Sequence, residues 1–227
     1  MKKQFLATIA TCLVLTGCMS SGPADSSYGN CSNICNFLWW KTATVSTLKA
    51  EIKSGADVNA RSQDGTTPLH IAARLGKSTH IKILTDAGAN VNALGDSTVG
   101  TPLHEAATMG HPASIKALID AGADVNMQDE YLENTPLHEA VTQGSAANVR
   151  VLLNAGANPN IRNRLSENPF VYASSQDEKT SEWPEIRNLL KSAGSETKKS
   201  KADVTKIAAC GVSQLIFMGV GCGGNSF

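Results

Sequence analysis

Apolar positions along this chain fall in short clusters that recur at nearly constant intervals. Leu48–Ile52, Ile81–Leu84, Ile115–Ile119 and Val149–Leu153 each set aliphatic side chains three or four residues apart, the spacing of one helical face. Each cluster runs into a glycine, at Gly55, Gly88, Gly122 or Gly156, within the phrase Gly-Ala-Asp/Asn-Val/Pro-Asn, at intervals of 33, 34 and 34. A second phrase, Thr-Pro-Leu-His, stands at 67–70, 101–104 and 135–138. Two markers in phase describe one unit, repeated. In that unit Thr67, Thr101 and Thr135 are placed to cap a first helix, and Pro68, Pro102 and Pro136 occupy its first turn, where a missing N–H costs nothing. The glycines then close a second helix in the left-handed conformation.

Spacing separates the helices from the loops. From Thr to Gly the distance is 21 residues in each complete copy, whereas the Asn ending one Gly-Ala phrase precedes the next Thr, or Asn168, by 8, 9, 9 and 8. An inserted residue inside a helix would rotate its apolar face by about 100°, so the variation belongs to hairpin tips. Both ends depart from the pattern. Trp39 and Trp40 align with the alanine pairs of later units ahead of a second helix at 45–53. Asn168-Pro169-Phe170 replaces Thr-Pro-Leu at the other end, with extra residues over 176–183 before Pro184 restarts a helix that ends at Gly194.

These phrases, with Ala72-Ala73, Ala106-Ala107 and Gly110-His111, resemble the ankyrin repeat over residues 37–194. The resemblance implies an all-α fold, an ankyrin-repeat solenoid of helix pairs with short β-hairpin loops: three full repeats and two capping ones. It also implies that His70, His104 and His138 bond to the nearby Thr and to the backbone of a neighbouring repeat. Units spaced near 10 Å could not bring the three imidazoles onto one metal ion. His80 and His111 read as packing or surface residues.

The amino-terminal segment reads as an address. A basic Met1-Lys2-Lys3 and an uncharged stretch over 5–16 suit an export signal and are too short to span a membrane. Leu15-Thr16-Gly17-Cys18 resembles the lipobox of bacterial lipoproteins, which implies cleavage of residues 1–17 and lipidation of Cys18. Met19, where the family's inner-membrane retention signal is usually Asp, implies sorting to the outer membrane, facing the periplasm. Residues 18–36 then hold the lipidated cysteine, a small polar tether and the start of the cap. Outside the cytosol Cys31, Cys35, Cys210 and Cys222 are disulfide candidates. Pairing 31–35 with 210–222 competes with bridges from the amino-terminal segment to the tail, and Cys31-x3-Cys35 has a zinc half-site as its rival. Residues 195–227 form a charged linker and a Cys- and Gly-rich apolar tail, which either packs on the end of the stack or lies in a membrane interface.

Charge and motifs narrow the function. Twenty Lys plus Arg balance twenty Asp plus Glu, so there is no net basic charge to favour nucleic acid. A nucleophile elbow and a phosphate-cradling loop are absent from the sequence, and the expectation is a non-enzyme without cofactor or metal. The expected activity is binding of a protein partner through hairpin tips and concave groove. The groove positions are Arg74, Glu105 and Glu139, alongside Thr108 and Met109. At the tips Tyr131 and Leu132 are apolar residues in a loop, flanked by Asp129, Glu130 and Glu133 as an acidic rim that suits a basic partner, with Asp96 before them and Arg162 and Arg164 after. An inhibitor or immunity-type lipoprotein is one concrete form; an envelope scaffold that self-assembles through its tail is the alternative.

Overall fold

The computed structural model describes residues 33–96, 99–176 and 182–195. A 3-10 turn, Asn33–Cys35, leads into α1 (Phe37–Thr42) and α2 (Val45–Lys53). Then come α3 (Pro68–Arg74) with α4 (Ser78–Asp86), α5 (Pro102–Thr108) with α6 (Pro112–Asp120), and α7 (Pro136–Thr142) with α8 (Ala146–Asn154). The last pair is α9 (Pro169–Ser175) with α10 (Glu182–Ser192). First helices pack on first helices (α3, α5, α7, α9) and second helices on second helices (α4, α6, α8, α10), so the chain is a solenoid of stacked pairs. No strand forms among the described residues; the hairpins are fingers closed by isolated main-chain bonds.

Small side chains set the spacing of the stack. Ala72, Ala73, Ala106, Ala107 and Ala140 are wholly buried, which lets helices of adjacent units approach closely, while Leu69, Leu103 and Leu137 fill the layer beneath. The second helices bury one stripe each, Ile81 with Leu84, Ile115 with Leu118, and Val149 with Leu152. Gly55, Gly88, Gly122, Gly156 and Gly194 end them with φ between +84° and +93°. A β-carbon is disfavoured at that φ.

The ends are capped as the aromatic residues suggest. Trp40 is buried, donates from Nε1 to the Ile34 carbonyl at 2.7 Å, and meets Trp39 edge to face. Cys35 is disulfide-bonded. Cys18, Cys31, Cys210 and Cys222 lie outside the described residues, as does the segment assigned to the lipobox. At the far end α10 begins at Glu182, two residues before the expected restart. Pro184 is the third residue of that helix, still in the first turn where its missing N–H is not needed.

The extra residue of the two longer loops sits in the fingers. Ser62 and Asn163 close their fingers four residues on, at Thr66 and Glu167, whereas Gly95 and Asp129 close theirs five residues on, at Gly100 and Asn134. Between units, Asn59, Asn92 and Asn126 accept through Oδ1 from the main-chain amides of Asn90, Asp124 and Asn158 at 2.7–2.8 Å.

Candidate partner-binding groove

Each first helix is fastened at its start by a threonine and a histidine. The Thr101 amide donates to His104 Nδ1 at 3.0 Å, the Thr101 hydroxyl lies 2.9 Å from the same nitrogen, and Nε2 lies 2.9 Å from the Asn134 carbonyl. An amide only donates and a carbonyl only accepts, so Nε2 carries the proton and Nδ1 receives. His70 and His138 repeat the arrangement, ending on the carbonyls of Gly100 and Glu167 at 3.0 Å. Burial pushes all three imidazoles below the ordinary histidine value, against the opposing pull of those carbonyls and of nearby carboxylates. These histidines are joints, each tying one unit to the next finger.

The finger over 129–134 is organised by a carboxylate. Asp129 Oδ1 accepts from the amides of Tyr131 and Leu132 at 2.8 Å, and Oδ2 from that of Asn134 at 3.1 Å. Glu133 adopts φ +57°, which lets the chain turn back. The next finger lies alongside: the Arg164 amide donates to the Leu132 carbonyl at 2.7 Å, and Gln128 Nε2 donates to the Arg162 carbonyl at 3.1 Å. The acidic rim expected here is therefore largely spent within the fingers. Asp129 serves its own backbone, Glu133 faces Arg164 at 3.4 Å, and Glu130 is exposed but outside the cavity described next.

Between this finger and the first helices lies a cavity of about 390 Å³. It gathers Arg74, Glu105, Asp129, Tyr131, Leu132 and Glu139, six of the residues singled out from sequence, and brings in Thr108 and Met109. Arg74 and Glu105, from adjacent units, form a bidentate pair at 2.8 and 2.9 Å. Glu139 accepts from the Asn134 amide group at 2.9 Å and lies 3.3 Å from the Thr108 hydroxyl, which donates to the His104 carbonyl at 2.9 Å. Tyr131 is 58% exposed and Met109 47%. Asp96, Arg162 and Arg164 do not line the cavity; Asp96 faces Arg61 of the preceding finger at 3.7 Å, and Arg162 donates to the Ser166 carbonyl at 2.8 Å. Asn134, the last residue of the hairpin, also lines the cavity. Its signal in the sequence is its place directly before Thr-Pro-Leu-His, where the preceding unit carries Gly100.

Two family models for ankyrin repeats match the chain, one of three copies over residues 40–129 and one of many copies over 118–173. Residues 40–173 are ankyrin repeats. No curated protein matches the chain. Ankyrin repeats are in general modules for protein interaction, and the cavity above lies where their first helices and fingers meet.

Proposed function

We propose that this chain is a lipid-anchored binding module of the bacterial cell envelope, holding a protein partner between the finger over 129–134 and the concave first helices. The observation that carries the binding site is the exposure of Tyr131 and Met109 in a groove whose charged side chains are held by hydrogen bonds. Large side chains held by a rigid frame give contact area at little ordering cost, the usual composition of an interface hot spot. The anchor rests on the resemblance of residues 1–18 to a lipoprotein signal, and the disulfide at Cys35 supports an oxidising compartment. An inhibitor or immunity-type lipoprotein is the concrete form this reading favours.

The test is capture from solubilised envelopes with wild-type chain and with a Tyr131→Ala/Leu132→Ala variant. A stoichiometric heterologous partner is expected with the former, and affinity lower by about 2 kcal/mol with the latter at unchanged thermal unfolding. A variant that melts earlier yet binds equally well means these side chains pack the fingers and the site lies elsewhere. Self-association alone favours the scaffold.

A further inference from the structure

We infer that the groove receives a basic side chain, Lys or Arg, projecting from the partner, with Glu139 as its carboxylate. This rests on the groove being the partner site and deepens it to the chemistry of one anchor.

The charges of the cavity resolve unequally. Arg74 and Glu105 neutralise each other through two short bonds, so neither presents an uncompensated charge to a ligand. Both oxygens of Asp129 are taken by three main-chain amides. Glu139 differs. Its Oε1 takes one bond, from the neutral Asn134 amide group, while its Oε2 lies 3.3 Å from the Thr108 hydroxyl, whose single proton has the His104 carbonyl closer at 2.9 Å. A carboxylate has about four acceptor positions, so at least about two remain here. The neutral Asn134 donor orients the carboxylate before a ligand arrives without discharging it. His104 also lines the cavity, but both ring nitrogens are engaged and burial keeps it neutral. The remaining charge facing the opening is negative.

The walls suit the rest of such a side chain. Met109 and half-buried Leu132 are apolar surfaces for the methylene stem, and the exposed Tyr131 ring offers a face to a cation. An acidic ligand would find no free cation here, because Arg74 is already bidentate with Glu105. A purely apolar ligand would bury Glu139 without a counter-charge, which costs more than the contact returns. The complement is therefore a stem that is apolar and a tip that is positive.

The probe is the acetylated, amidated peptide Ala-Arg-Ala, with Ala-Gln-Ala as its neutral counterpart, titrated into the full chain in detergent while the Met109 methyl resonance is followed by NMR. Saturable shifts are expected with the arginine peptide and at least about tenfold weaker ones with the glutamine peptide. Glu139→Gln should weaken the arginine peptide by about tenfold or more at an unchanged unfolding midpoint. Asp120→Asn, on α6 and outside the cavity, should leave it unchanged. Equal binding of the two peptides, no saturable shift, or unaltered affinity in Glu139→Gln overturns the inference. If the peptides fail while the Tyr131→Ala/Leu132→Ala variant still loses its envelope partner, the groove remains the partner site and only the basic anchor falls.

Discussion

His80, Ser114 and Asn148 hold the third position of α4, α6 and α8, 34 residues apart, and all three are buried. Each keeps a polar atom without a hydrogen-bond partner: His80 Nε2, Ser114 Oγ and Asn148 Oδ1. The same face of each second helix thus carries the same cost in three consecutive units. Asn148 recovers part of it, since its Nδ2 donates to the Ala107 carbonyl at 3.1 Å, and Trp40 packs against the His80 ring. Ser114 has no such compensating bond. A buried hydroxyl left unpaired is worth removing, so Ser114→Ala is expected to raise the unfolding free energy by about 1 kcal/mol, measured by urea denaturation. A loss of stability instead would show that the hydroxyl is hydrogen-bonded in solution.

At the scale of the helix, the threonine and histidine joints make the stack sensitive to acid. In the native chain Nδ1 of His70, His104 and His138 faces two donors from the capping threonine, so a proton placed there meets donors on every side. Their folded values lie below the ordinary one of about 6.5, so between the two the unfolded chain binds more protons and stability rises with pH. The contribution is complete above about pH 6.5 and is lost as pH falls through the folded values. His80, also depressed by burial, adds in the same direction. The urea midpoint should therefore fall from about pH 7.5 to about pH 5.5, and a flat profile would mean the joints tolerate protonation. The helices holding these joints were legible in the sequence because the caps, the prolines and the glycines are local and recur in phase; the second helix at 45–53 was placed to the residue. What joins residues far apart was not legible. Nothing in the spacing says that Arg74 meets Glu105 of the next unit, or that Asp129 turns onto its own backbone. Spacing assigns a side chain to a face, while its partner depends on which neighbour that face meets.

For the whole molecule, the proposed anchor makes the position of the stack depend on Cys18. Changing Cys18→Ser is expected to yield an uncut precursor that takes up no lipid label; a variant processed and fractionated as wild type would remove the anchor from the proposal. The joints between units have a direction. His70, His104 and His138 end on carbonyls of the following unit, and Asn59, Asn92 and Asn126 receive amides of the following unit. In each case a side chain grips a main-chain group. Main-chain groups are the same whatever residue bears them, so these bonds do not depend on the lettering of the residue that receives them. Recognition residues on a finger or in the groove can accordingly be rewritten, duplicated or moved one unit along without a compensating change in the joint beneath. These joints, unlike the packed alanines and leucines beside them, are indifferent to the text carried on the fingers, and a new specificity can be drafted there one repeat at a time.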